Sequence, residues 1–165
     1  MHPEAWKWVA DHVAKVGSPQ RVMDQGGQNV NGNIRDLFPD VTDWTAVDLY
    51  PGAGVDVVAD CGDYVHPDCD MVISTELLEH TPRGPDIVKR AFDSLKPGGH
   101  YVITTAAYGR APHSAQGLAA IPAGEYYGNI SPLDLQDWLK NAGFVDIVLN
   151  VETSTHDVRA WARRP

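Results

Sequence analysis

The chain has 165 residues, 43% of them hydrophobic and 21% charged, which suits one folded domain with a real core and leaves no room for two. Lys and Arg total 13 against 22 Asp and Glu, a net charge of −9 that works against nonspecific attraction to nucleic acid or an anionic membrane. No apolar run would span a bilayer, Met1–Trp8 lacks the basic-then-apolar order of a secretory signal, and two cysteines make no disulfide framework, so a reducing cytoplasm is the expected compartment.

Residues 3–16 are predicted helical, because Ala5, Trp8, Val9, His12, Val13 and Val16 fall at helical spacing and Gly17 is a stop. Arg21–Asp24 reads as a short strand running into a glycine turn. Val30–Phe38 reads as a short helix with Ile34, Leu37 and Phe38 inward, ended by Pro39. Strands are predicted at Thr45–Asp48, Val55–Ala59 and Met71–Ser74. Pro85–Leu95 is helical, with Ile87, Val88, Ala91, Phe92 and Leu95 on one face. Lys96-Pro97-Gly98-Gly99 is a turn feeding the strand Tyr101–Thr105. After an irregular stretch, 106–130, Ser131 caps a helix with Pro132 at its first position and Gly143 at its end. Phe144–Val151 and His156–Ala162 close the chain as strands.

Strands separated by helices imply right-handed crossovers, hence an α/β fold with a seven-stranded, mainly parallel sheet, the last strand antiparallel. In such sheets ligands bind beyond the C-terminal strand ends. The residues at those ends are therefore the candidates: Asp24 to Gly27, Asp48, Asp60, Ser74 to Glu76, and Thr105 onward. Gly26 and Gly27 follow Asp24 and let the backbone turn close to a ligand. Asp48, at the next strand end, is placed to accept hydrogen bonds from ribose hydroxyls. Asp60 ends the third strand, where a carboxylate suits an exocyclic amine such as that of adenine, with the Cys61 backbone beside it. A G-x-G-x-x-G dinucleotide signature starting at Gly26 fails, because Gln28 and Asn31 stand where it needs glycine.

Several segments in order carry a resemblance: DQGGQNVNGNIR (24–35), AVDLYPGAGVDVVAD (46–60), DMVISTELLEH (70–80), LKPGGHYVITT (95–105) and EYYGNISPLDLQDWLKNAGF (125–144). Together they resemble the class I S-adenosylmethionine-dependent methyltransferases of the small-molecule type, from about Arg21 to Glu152. The resemblance implies a Rossmann-like sheet with helices on both faces and S-adenosyl-L-methionine as cofactor. It implies one domain, 1–165: an N-terminal helix (1–20), a cofactor-binding half (21–105) and a substrate-side half (106–165). Carried over, it gives Asp24, Gly26 and Gly27 to the methionine part of the cofactor and Asp48, with Leu49, to the ribose. Asp60 and Cys61 go to adenine, and Ser74, Thr75 and Glu76 to the region near the sulfonium and the substrate. The family commonly has glycines where this chain has Gln28 and Val30. A subgroup with V-N-G is closer to Asn29–Arg35, so Asn31 and Gly32 are expected to shape the loop.

Methyl transfer to oxygen, or to a protonated nitrogen, needs a base as well as alignment. Glu76, His80 and His113 are the candidates because they follow the fourth and fifth strands, with Tyr108 and Tyr126 as shaping groups. The fourth-strand end reads Ser74-Thr75-Glu76-Leu77, unlike the Asp/Asn-Pro-Pro-aromatic segment of base-amino methylation or the Pro-Cys of cytosine C5 chemistry. A small-molecule acceptor is therefore expected rather than nucleic acid or a membrane. Cys61, His66, Cys69 and His80 are spaced too loosely for a zinc site, so no metal is expected. Residues 106–130 are the expected lid, and without a cap domain the site is open unless a second copy or another partner closes it. The altered glycine loop and small size also fit a noncatalytic cofactor-binding or scaffold module. A further alternative is another nucleotide-binding α/β enzyme.

Overall fold

A computed structural model describes residues 3–30 and 32–165. Helix α1 (Pro3–Val16) leads into strand β1 (Arg21–Gln25), followed by β2 (Asp43–Asp48), β3 (Val57–Val58) and β4 (Cys69–Thr75). Helix α2 (Gly84–Ser94) and the long β5 (Leu95–Ala106) come next, then α3 (Pro132–Ala142) and the hairpin β6 (Val145–Glu152) and β7 (Asp157–Arg163). The strands form one sheet in the order β3-β2-β1-β4-β5-β7-β6, with β1 to β5 parallel and β7 antiparallel to both neighbours. Helices lie on both faces, as predicted.

Alternation along the strands divides the core. Val22, Ala46, Met71, Ile73 and Val102 face α1 and a short 3-10 turn, where Val9, Ile34, Phe38 and Trp44 complete one cluster. Met23, Val47, Val72, Tyr101 and Ile103 face α2 and α3, where Ile87, Val88, Ala91, Leu135 and Leu139 complete the other. Ser131 Oγ accepts from the Leu133 N–H and Gly143 ends α3 in the left-handed conformation, so the predicted caps of that helix are both present.

Most element ends lie within one or two residues of the sequence reading, and three places differ more. Val30–Phe38 yields only a 3-10 turn, Ile34–Leu37, because Asn33 caps it through the Arg35 N–H and Pro39 allows no second turn. β3 shrinks to two residues, since only Val47–Val57 and Asp48–Val58 pair at this sheet edge. The Lys96–Gly99 turn is instead the start of β5: Leu95 pairs with Cys69, and the register shifts before Met71 pairs with His100. Val16, expected inward, is exposed.

The C-terminal ends of β1, β2, β4 and β5 converge on one edge of the sheet. Toward the other edge, α1 is pinned by His12, which is buried and has Nε2 3.2 Å from His100 Nδ1. Among the described residues, no helix is long and apolar enough to cross a membrane.

Candidate functional site

A cavity of about 890 Å³ opens where those strands end. Gly26, Gln28, Asp48, Leu49, Asp60 and Cys61 line one end. Thr75, Glu76, His80, Arg110 and His113 line the other, and loop residues 114–117 and 122–126 form the mouth. Most predicted site residues therefore meet in one space. Asp24, Gly27 and Ser74 stand behind its wall, and Asn31 lies outside the described residues.

The glycine turn is built by crowding. The Gly26 and Gly27 N–H groups both donate to the Val47 carbonyl, at 2.8 and 3.2 Å, drawing the turn onto the end of β2. Gly26 has φ +76°, and a Cβ on Gly27 would lie 2.7 Å from Ala46 Cβ. Beneath the turn, Asp24 is buried and its Oδ1 has no hydrogen-bond partner. Burial, then the charges of Asp48 and Asp56, push its carboxyl up to about 7.

The two carboxylates farther along are held by backbone amides. Asp48 Oδ2 accepts from Gln28 N–H at 3.3 Å and Oδ1 from Tyr50 N–H at 3.1 Å. Asp60 Oδ1 accepts from Gly62 N–H at 2.7 Å, and Oδ2 takes Arg83 Nη1 at 2.8 Å. Beside them the Cys61 thiol points at the Val47 carbonyl, 3.6 Å away, and burial pushes it up to about 12, so it is an inert core thiol whose backbone borders the cavity. Ser74 is fully buried beside Tyr101 and does not reach the cavity.

At the opposite end, Glu76 occupies the left-handed region with φ +54°, an uncommon conformation for a residue with a side chain. Its N–H donates to the Thr104 carbonyl at 2.8 Å, Thr104 Oγ1 donates to its Oε1 at 2.9 Å, and Arg110 Nη2 lies 3.7 Å from Oε2. Arg110 is anchored in turn on Asp157 at 2.7 Å.

His80 and His113 meet edge to face with ring centroids 5.0 Å apart, and Tyr127 packs on both at 5.6 and 5.0 Å. Burial, then the nearby His113, lowers His80 to about 4, so its ring is neutral at ordinary pH. His113 Nδ1 lies 3.1 Å from the Ala111 carbonyl. A carbonyl only accepts, so Nδ1 is the donor in this contact and Nε2 is the ring nitrogen left without it. His113 also lines the cavity.

Sequence reading did not single out Glu79, Arg83, Arg110 or Glu125. Glu79 is fully buried, takes Thr105 Oγ1 at 2.7 Å, and is pushed upward by burial and by Glu76. The spacing of Glu76 and Glu79 in ELLEH was a visible signal for it. Among the described residues, Glu79, His80 and His113 each offer one atom within 4.8 Å of the others, a grouping that could hold a metal ion. Glu125 ties the mouth together, accepting from Ser114 Oγ at 3.0 Å and from Ala115 N–H at 2.5 Å.

Comparison with known proteins places this geometry. Residues 7–149 match the family described as "Methyltransferase domain". A ubiquinone biosynthesis O-methyltransferase of Marinobacter nauticus is 37% identical over 71 residues, 43% of this chain and 28% of that protein. The chain thus spans less than a third of that curated relative. A Haemonchus contortus phosphoethanolamine N-methyltransferase, solved with S-adenosyl-L-methionine, superposes with a TM-score of 0.71 at 15% identity, over 98% of this chain and 52% of that one. A Burkholderia thailandensis 1,6-didemethyltoxoflavin N1-methyltransferase, solved with its substrate and S-adenosylhomocysteine, gives 0.70 at 21% identity, over 97% and 78%. At such identities these two structures speak for the fold, which is that of class I S-adenosylmethionine-dependent methyltransferases.

Proposed function

Because the chain belongs to the methyltransferase domain family, we propose that it moves the methyl group of S-adenosyl-L-methionine onto a hydroxyl of a small-molecule acceptor. The observation that carries the reading is a single cavity with carboxylates at one end and a proton-accepting imidazole, His113 Nε2, at the other. The O-methyltransferase activity of the curated relatives supports an oxygen acceptor.

The residues present fit the cofactor. Asp24 is a buried carboxyl with an orphaned oxygen under a glycine turn, suited to a nearby positive charge. Asp48 is assigned the ribose, Asp60 and the Cys61 backbone the base, and Gly26 and Thr75 the methionine side. When bound, S-adenosyl-L-methionine supplies an electrophilic methyl on a sulfonium, already activated. What remains for the chain is alignment, exclusion of water and removal of one proton. His113 takes that proton at Nε2. His80 and Tyr127 fix the His113 ring by edge contacts, and Glu76 borders the reacting region from β4. Residues 21–105 thus serve the cofactor and 106–165 the acceptor.

Calorimetric titration with S-adenosylmethionine and S-adenosylhomocysteine, for wild type and Asp48→Ala, tests the reading. It is followed by mass spectrometry of phenols and alcohols incubated with cofactor. We expect micromolar binding weakened about tenfold or more by the substitution, and a product heavier by one methyl. No binding to a folded wild type refutes the proposal. Binding without turnover on any acceptor favours the noncatalytic alternative.

A further inference from the structure

We infer that Arg83 is a positioning residue for the cofactor's base: it locks the Asp60 carboxylate in place and so sets selectivity for a 6-amino purine. The inference rests on the assignment of Asp60 to the base made above, and deepens it.

Arg83 stands directly before α2, and every N–H of its guanidinium has a partner. Nη1 donates to Asp60 Oδ2 and Asp63 Oδ2, both at 2.8 Å. Nη2 donates to Asp63 Oδ1 at 2.8 Å and the Gly62 carbonyl at 3.4 Å, and Nε donates to Asp86 Oδ2 at 3.0 Å. A planar fork held at three carboxylates cannot swing away as a lysine could. It also lies flat on the chain, since a Cβ on Gly62 would come within 2.9 Å of its Cζ.

The effect falls on Asp60. One oxygen is fixed by the Gly62 N–H and the other by Arg83, so the carboxylate plane is defined. Each oxygen retains a lone pair, and Asp60 lines the cavity. An amine at the purine 6-position can donate there; a 6-oxo group meets a fixed negative charge instead. Stability is a poor explanation for the network. Arg83 and Asp60 are each about one-third exposed, and Asp63 and Asp86 more so, a setting in which ion pairs add little to folding. Arg83 and Arg110 are the two cationic side chains among the described cavity-lining residues, and Arg110 serves the other end.

Calorimetry with S-adenosylhomocysteine and its 6-oxo analogue S-inosylhomocysteine tests this in wild type, Arg83→Gln, Arg83→Lys, Asp60→Asn and the Arg83→Gln/Asp60→Asn double variant. Melting temperatures are measured alongside. We expect Arg83→Gln to weaken S-adenosylhomocysteine about tenfold and to narrow its advantage over the 6-oxo analogue, with Tm shifted by no more than about 3 °C. Arg83→Lys should recover part of the loss, and in the Asp60→Asn background Arg83→Gln should change nothing further. The inference is overturned if Arg83→Gln binds within twofold of wild type or tighter, if the two ligands lose affinity equally, or if the effect persists without the Asp60 charge. Should Asp60→Asn itself leave binding intact, the assignment of the base is wrong. Should wild type bind neither ligand, the proposed function falls first.

Discussion

Replacing Asp24 by Asn should stabilise the free protein at pH 8 and leave it unchanged near pH 4. Asp24 is buried under the glycine turn, and its folded pKa stands at about 7 against the ordinary 3.8. The folded chain therefore binds this proton more tightly than the unfolded chain does. Folding is unaffected by this group below about pH 4, loses stability as pH rises from there to about 7, and stays flat beyond. Some three pH units at about 1.4 kcal/mol each set a ceiling of roughly 4 kcal/mol, of which we expect about 2–3 kcal/mol after local relaxation. For a chain of this size that is a gain on the order of 5–10 °C in melting temperature at pH 8. The amide keeps the shape and removes the charge, so urea denaturation of both proteins at pH 4.5 and pH 8 isolates the effect. A variant that melts at or below wild type at pH 8, or one equally stabilised at both pH values, would refute the reasoning. The same logic predicts that wild-type affinity for the cationic cofactor rises between pH 5 and 8, and that Asp24→Asn loses this dependence.

His12 has the opposite slope. Burial and its neighbours His100 and Lys15 lower its pKa from 6.5 to about 4, and His100, which also faces Arg163 and Asp146, is itself lowered. The folded state thus binds fewer protons, and the contribution is whole above about 6.5 and lost as pH falls to about 4, by up to about 3 kcal/mol. In wild type this opposes the Asp24 slope. Urea titrations of wild type and His12→Gln isolate the His12 contribution: wild type should gain stability relative to the variant from pH 4.5 to 6.5, and parallel profiles would contradict a buried neutral His12. Gly27→Ala should cost about 1–3 kcal/mol, because its Cβ would sit 2.7 Å from Ala46 Cβ and 3.0 Å from Asp24 Oδ2. Ala46→Gly should restore part of that melting temperature, and failure to do so would place the clash elsewhere. His113→Gln should lower turnover about 10²–10⁴-fold while leaving S-adenosylhomocysteine affinity within twofold. An unchanged rate would remove His113 as the base.

What the sequence revealed was whatever is local or periodic. The alternation of strands and helices, the Ser131 and Gly143 ends of α3, and the acids at successive strand ends all depend on neighbours a few residues away. Edges were harder. β3 ends where its pairing with β2 ends, and β5 starts early because Leu95 finds Cys69 across the sheet. The contacts around the cavity that sequence reading missed share this dependence on distance in sequence. Arg83 reaches Asp60 across 23 positions, Thr105 reaches Glu79 across 26, and Arg110 reaches Asp157 across 47. His113 was named for its place after β5, yet the difference between its two ring nitrogens became definable only from the Ala111 carbonyl.

The segment after β5 leaves and rejoins the sheet at one point. Ala107 bridges Ile130 in parallel, and the Ile130 N–H donates to the Ala106 carbonyl at 2.8 Å. Both of these residues are buried, and the Glu125 contacts to Ser114 and Ala115 brace the excursion from within. A loop closed at its base can change length at small entropic cost and without moving the strands beneath it. Arg110, held by Asp157, and His113 and Tyr127, packed on His80, tie the ends of the excursion to the body, so changes of length fall most cheaply between the Glu125 braces, at 116–124. On the function proposed above, acceptor preference is rewritten there by insertion or grafting, while the carboxylates assigned to the methyl donor stay where β1, β2 and β3 put them.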